Sequence, residues 1–380
     1  MSFGTTIMRT GKFGMNNLFN GIYKNCTVLV TGHTGFKGSW LSYWLKQMGA
    51  NVVGYALEAP TKPNHFELLD LDIESVIGDI RNQDKLDSIL EKHQPDIVFH
   101  LAAQPLVRLS YSDPIQTLET NIIGTARVFE ACKKTKSVKA IVNITSDKAY
   151  ENKEWLWGYR ESDPMGGHDP YSASKGCAEL ITNSYRNSFF NIDKYGVEHN
   201  ILLASCRAGN VIGGGDWAQD RLMTDIVLSA VANNKVKIRN PHATRPWQHV
   251  LEPLSGYLAI GQKLLEGNKS YAEAWNFGPS DEKSITVEEV FNNIKKYWDK
   301  IDYEIDSNKN QPHEANLLKL DCSKAHFKLN WSEVWSSDKT FEKTAMWYKT
   351  FYEVNKVNTL SDLEIYISDA VNKGRIWATS

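Results

Sequence analysis

Tyr171 and Lys175 stand four residues apart in a stretch that reads as helix, so their side chains leave one face. A lysine ammonium beside a phenol stabilises the phenolate and draws its pKa toward neutrality. Such a tyrosinate can take a proton from an alcohol while hydride leaves the same carbon for a nicotinamide. Spacing alone is weak evidence, because sixteen tyrosines make a chance match ordinary. The order along the chain carries more weight, since Ser146-Asp147-Lys148 lies upstream at the end of an apolar run. A serine hydroxyl there can share the reacting oxygen with Tyr171. By residue type, Asp147 and Lys148 are either a second acid/base pair or a solvated loop pair.

A further group lies nearer the start. Gly32, Gly35 and Gly38 are spaced GxxGxxG, with Thr34 and Phe36 between them, directly after one apolar run and at the opening of a helical one. Glycine permits a tight turn and lets backbone approach a pyrophosphate, whose charge is favoured at a helix N-terminus. The carboxylate expected to bond an adenosine ribose at the end of the second strand is missing. That strand closes with Tyr55-Ala56-Leu57, and Glu58 comes late. These residues therefore leave NAD and NADP open. Asp79, followed by Ile80, is the candidate adenine contact. Leu101, Ala102 and Ala103 end a later strand in mostly small residues, leaving room for a cofactor across the sheet edge.

The elements that must position these groups follow from the pattern. Residues 26–30, 51–57, 97–101, 140–145 and 200–207 read as short apolar strands, with helical spacing at 39–48, 83–93 and 114–133. Near-continuous apolar strands alternating with helices indicate a parallel sheet covered on both faces. The expected fold is α/β: a Rossmann-type doubly wound parallel sheet with a smaller mixed α/β C-terminal substrate domain. A flexible extension is expected over 1–20 and the nucleotide-binding domain over 21–207, with 248–272 returning to it. The second domain is expected over 208–247 and 273–357, and a tail over 358–380.

Composition narrows the class. A chain of 380 residues is long enough for two domains. A net charge of -2 gives no reason to expect nucleic acid or an anionic membrane as a partner. No run approaches the roughly 18 apolar residues needed to span a bilayer. Residues 1–20 lack the compact apolar stretch of a secretion signal. Cys26, Cys132, Cys177, Cys206 and Cys322 are irregularly spaced with no CxxC, which points to reduced thiols in a cytoplasmic protein and to no metal.

Longer stretches carry a resemblance. They are 31–39, 102–108, 143–148, 169–176, Arg207-Ala-Gly-Asn-Val-Ile-Gly-Gly-Gly-Asp-Trp217 and Arg245-Pro-Trp-Gln-His-Val-Leu-Glu-Pro-Leu-Ser-Gly256. Over roughly residues 25 to 280 the chain resembles the extended short-chain dehydrogenase/reductases and, among them, the cytidylyl branch of the sugar-nucleotide 4,6-dehydratases. Related dehydratases commonly carry Asp-Glu where this chain has Asp147-Lys148, which argues against a dTDP-glucose enzyme, and epimerases of the fold usually lack the pair. The resemblance implies NAD as cofactor and CDP-glucose as substrate. It implies a 4-keto-6-deoxy product in deoxysugar synthesis for surface polysaccharide such as lipopolysaccharide. Tyr171 would deprotonate the C4 hydroxyl, a partly neutral Lys148 would take the C5 proton, and Asp147, kept protonated by a dry pocket, would protonate the departing C6 oxygen. The diphosphate wants arginine: Arg245 first and Arg221 second, with Gln104 and Arg108 nearer the sugar. Asn210 would bond a phosphate oxygen or sugar hydroxyl. His249 would flank the base, as would Trp217 or Trp247, although core packing is the better expectation for any single tryptophan. A homodimer or homotetramer is expected. Another dehydratase or an epimerase on this scaffold, or a catalytically silent NAD-binding protein, are the alternatives.

Overall fold

β-Branched and aliphatic residues build the first six strands of the computed structural model, which describes residues 14–238, 241, 243–280, 285–305 and 317–379. They are β1 (Thr27–Thr31), β2 (Asn51–Ala56), β3 (Glu74–Ile77), β4 (Ile97–His100), β5 (Ala140–Ile144) and β6 (Leu202–Ala208). β4, β5 and β6 are buried along their whole length, as strands covered on both faces must be. Together with Ala274–Phe277 they form one seven-stranded sheet, in the order Ala274–Phe277, β6, β5, β4, β1, β2, β3. Every neighbouring pair in it is parallel. The order reverses between β1 and β4, where Thr31 lies beside both Tyr55 and His100. In open α/β sheets a ligand crevice forms at such a reversal, beyond the carboxyl ends of the strands.

Local chemistry sets the helices around that crevice. Helix Phe36–Gln47 starts at Gly35 with no side-chain cap, so its first amides are free to meet a ligand. Helix Pro170–Ser188 has proline at its start and Asp169 as N-cap, which accepts from Ser172 N at 2.9 Å and Ser172 Oγ at 2.6 Å. Its entry is therefore well defined, one residue before Tyr171.

The second half of the chain returns to the sheet. Helix Leu251–Leu265 packs on β5 and β6 and leads into Ala274–Phe277. The return expected over 248–272 thus runs past its expected limit, because the last strand lies just beyond it. Glu252, wholly buried in that helix, accepts from Val334 N at 2.9 Å, Trp335 N at 2.8 Å and Tyr366 Oη at 2.8 Å. Burial pushes its carboxyl up to about 7. The expected tail is in fact core: Leu363, Tyr366 and Trp377 are buried in helices Thr359–Asn372 and Ile376–Thr379. Of the extension expected over 1–20, residues 1–13 lie outside the described residues. Met15–Gly21 instead forms a broken 3-10 turn with Phe19 stacked on Trp377 at 5.2 Å. Among the described residues no helix is long and apolar enough to cross a membrane.

Candidate active site

The glycine turn is dictated by contact. Gly32 has φ +76°, and a Cβ there would come within 2.8 Å of Ala102 N on the other wall of the crevice. A Cβ at Gly38 would overlap the Gly32 carbonyl oxygen. Gly35 differs, because an added Cβ would touch only Gly32 O, at 3.4 Å. Among the described residues, chain packing does not require glycine there, whereas a pyrophosphate on the uncapped helix amides would. Thr34 Oγ1 donates to Leu57 O at 2.8 Å and pins the turn to the end of β2. Phe36 starts the helix, with its ring toward Gly213. Leu101, Ala102 and Ala103 follow β4 and are partly exposed. These residues fit a dinucleotide cradle. Asp79, expected at the adenine, pairs with Arg81, whose Nη2 lies 2.7 Å away and holds its carboxyl below the usual range. Ile80 is buried, with its side chain where a Cβ on Gly124 would stand.

Beyond β5 the chain brings the catalytic candidates together. Ser146 caps a 3-10 turn, Asp147–Ala149, and its Oγ donates to Asp147 Oδ1 at 2.9 Å. Lys148 N donates to Ser146 Oγ at 3.3 Å, and Ser146 also draws the pKa of the Tyr171 phenol down. Asp147 is buried, with Oδ2 only 3.1 Å from where a Cβ on Gly209 would sit. Lys148 is partly exposed rather than buried.

Burial pushes the Tyr171 phenol up, and Asp147 and Asp169 add to this; Arg221 and Ser146 pull it down. Burial pushes Lys175 down to about 8, assisted by Lys37 and opposed by Glu179. Burial is the largest of the influences on the phenol. Glu179, one turn further on, is itself fixed by Arg207 Nη2 at 2.9 Å and Ser205 Oγ at 2.8 Å, and is held down to about 2.

Lys37 and Asp216 escaped the sequence reading. Burial and Arg221 push Lys37 down to about 8, while Asp147 and Asp216 draw it back up. A cation in the first turn of a helix opposes the macrodipole. That oddity, inside the glycine turn, was the available signal.

The expected substrate residues divide. Arg108 Nη1 pairs with Asp220 Oδ1 at 2.9 Å, next in sequence to Arg221, so both arginines belong to one exposed rim. Asn210 opens a short strand paired in parallel with Trp247–His249. Gln104 is buried, and its Nε2 donates to Thr117 Oγ1 at 2.8 Å and Leu106 O at 3.0 Å, so its amide shapes the turn rather than greeting a ligand. His249 is fully buried, edge-on to Trp335 at 4.8 Å and Trp40 at 5.9 Å, which removes it from any base pocket. Trp217 packs on Phe351 at 5.3 Å. The Arg245 backbone pairs with Ile285, but its side chain lies outside the described residues. Among the described residues no three His, Cys, Asp or Glu side chains gather as a metal site.

Comparisons with known proteins agree with this geometry. The family model described as GDP-mannose 4,6 dehydratase matches residues 29–344. The chain is 54% identical over 341 residues to a CDP-glucose 4,6-dehydratase of Salmonella typhimurium, covering 89% of this chain and 94% of that one. A CDP-paratose 2-epimerase of Salmonella typhi is 24% identical over 339 residues, covering 84% of this chain and 98% of that one. In fold it is similar to an epimerase of Methanothermobacter thermautotrophicus, with TM-score 0.76, 24% identity and 90% and 97% coverage. A dTDP-glucose 4,6-dehydratase of Bacillus anthracis in complex with NAD gives TM-score 0.68 at 20% identity, covering 86% and 98%.

Proposed function

The chain belongs to the GDP-mannose 4,6-dehydratase family of the extended short-chain dehydrogenase/reductases, and from that premise we propose that it converts CDP-D-glucose to CDP-4-keto-6-deoxy-D-glucose and water. The observation that carries this reading is the meeting of Tyr171, Ser146 and Asp147 at the end of β5, with Lys148 adjoining, in a chain 54% identical to a CDP-glucose 4,6-dehydratase.

Gly32, Thr34, Gly35, Phe36 and Gly38, with Leu101, Ala102 and Ala103 opposite, would hold NAD, and Tyr171 and Lys175 would face its reactive end. Bound there, NAD supplies the redox partner that oxidises C4 and later reduces C6. Tyr171 Oη takes the C4 hydroxyl proton. The resulting ketone acidifies C5, so an amine suffices as base, and Lys148 Nζ takes that proton and later returns it. Asp147 Oδ protonates the departing C6 oxygen; its burial keeps bulk water from competing for that proton. Arg221, with Arg245 and Asn210, binds the diphosphate end, and Arg108 lies nearer the sugar.

We place the enzyme in the cytoplasm, in deoxysugar synthesis for surface polysaccharide, in keeping with five free thiols. A homodimer or homotetramer is supported by exposed Ile115, Ile123 and Leu180 on helical segments that pack side by side. The test is mass spectrometry after incubation with CDP-glucose, dTDP-glucose, UDP-glucose and GDP-mannose, without added reductant. Loss of one water from CDP-glucose alone is expected. Loss from another nucleotide sugar instead overturns the base assignment, and unchanged mass throughout favours an epimerase or a silent scaffold.

A further inference from the structure

The glycine-dense run 209–215 follows β6, and packing inside the chain accounts for its later members. A Cβ on Gly213 would come within 2.9 Å of Val250, one on Gly214 within 2.0 Å of Trp347, and one on Gly215 within 2.6 Å of His65. Gly209 differs. A Cβ there would meet Asp147 Oδ2 first, at 3.1 Å, then Pro246 at 3.6 Å and Asp147 Cγ at 3.8 Å. Gly209 is not among the positive-φ residues, so its backbone would accept alanine. Among the described residues, only the Asp147 carboxyl calls for glycine at this position.

The two oxygens of that carboxyl are not equivalent. Oδ1 accepts from Ser146 Oγ at 2.9 Å, and the serine oxygen in turn accepts from Lys148 N at 3.3 Å. Among the described residues no donor meets Oδ2. A protonated carboxyl has one O–H and keeps its other oxygen as acceptor. With Oδ1 engaged as the acceptor, the acid form carries its hydrogen on Oδ2, the oxygen that Gly209 faces. Gly209 is itself partly exposed. The next residue, Asn210, is one of those proposed to bind the substrate, so the sugar nucleotide passes this face. A methyl on Gly209 would rest against Oδ2 and stand across the approach to it.

We infer that Gly209 is a positioning residue for the elimination step: its missing side chain keeps Asp147 Oδ2 in place and open to the C6 oxygen of the sugar. In that step the C5–H bond breaks toward Lys148, and its electron pair forms the C5–C6 double bond. The C6–O and Oδ2–H bonds break together, and the departing oxygen leaves as water with that hydrogen. Asp147 is left ionised, matching the proton that Tyr171 has gained from the C4 hydroxyl. The hydride that reduces C6 is the one taken from C4, so no further oxidant or reductant is needed. This rests on the dehydratase reading and adds to it which oxygen acts and what keeps it within reach.

The test compares two leaving groups. CDP-6-deoxy-6-fluoro-D-glucose gives the same 4-keto-6-deoxy product but loses fluoride, which departs without a proton from Asp147. With Gly209→Ala, kcat for water loss from CDP-glucose should fall by about tenfold or more at a near-native KM. Fluoride release from the analogue should stay within about threefold of the native enzyme, because the acid is not needed there. The melting temperature of the variant should stay near native, since the added methyl crowds the Asp147 carboxyl and little else. Equal losses with both leaving groups, whatever the melting temperature, overturn the role in proton delivery. Undiminished water loss from CDP-glucose in Gly209→Ala overturns it as well. Native enzyme that removes neither water from CDP-glucose nor fluoride from the analogue overturns the dehydratase reading, and this inference falls with it.

Discussion

Asp147 is held by a serine hydroxyl, closed over by Gly209 and removed from solvent, whereas Lys148 beside it keeps a partly exposed side chain. Adjacent residues thus occupy different media, one closed to solvent and the other open to it. Asp147→Asn is expected to leave C4 oxidation possible but to block elimination. Mass spectrometry should then find a sugar oxidised at C4 that retains its C6 oxygen; normal dehydration would remove Asp147 from its role. Lys37 is the other residue with a measurable consequence. Lys175 loses its charge near pH 8, partly because Lys37 repels it. Lys37→Met removes that repulsion, so the Lys175 pKa rises and the high-pH fall in kcat should move to higher pH. An unmoved pH profile would show that Lys37 does not act on Lys175. The type and spacing of Tyr171 and Lys175 could be read from the chain. The effect of burial on them could not, because desolvation depends on what packs around a group and not on its neighbours in sequence.

At the scale of elements, three similar glycines have different tasks. Gly38→Ala puts a Cβ into the Gly32 carbonyl, so lost NAD binding together with a lowered melting temperature is expected. Gly35→Ala meets only a 3.4 Å contact in the chain, so its melting temperature should stay near native while NAD binding is lost. Calorimetry and fluorescence titration check the contrast, and equal melting losses in both variants would refute it. The helix Leu251–Leu265 bears the other test. Glu252→Ala would strand the Val334 and Trp335 amides and the Tyr366 hydroxyl, destabilising the fold by about 3 kcal/mol in urea titration. The glycine turn was legible because its spacing and strand–helix setting are local. The Glu252 clamp joins residues far apart in sequence, and no local pattern announces it.

For the whole molecule, the balance of buried titratable groups predicts an acid-sensitive fold. Burial pushes His65, His100 and His249 down to about 3 from 6.5. Histidines kept neutral inside contribute stability that is fully present above their unfolded pKa and is lost as pH falls from 6.5 toward 3. At pH 5 the loss is about 2 kcal/mol for each. Glu252 and Asp362 run the other way. Their carboxyls are raised to about 7 and about 6, so the fold regains stability as these protonate. That return is about 2 and about 1 kcal/mol between pH 7 and pH 5, so the histidines win. The urea midpoint should fall from pH 7 to pH 5, and a midpoint that rises would show that the carboxyls dominate. The same burial explains why sequence reasoning misplaced His249. A histidine lining a pocket and one walled in by Trp40 and Trp335 look alike in sequence until the helices are packed.

The sequence by itself determined the parallel sheet, the glycine turn and the Tyr171 helix, because these follow from periodicity and backbone chemistry within a few turns. It also determined that Ser146, Asp147 and Lys148 leave the carboxyl end of a strand, where ligands bind. Tertiary structure alone decided which of these groups are dry, that Ser146 is bonded to Asp147, and that Lys37 and Arg221 converge on them. It also placed the last strand and the C-terminal helices in the core. The reason is one of range: a hydrogen bond or a desolvation depends on atoms within a few ångströms, and folding draws those atoms from anywhere along the chain.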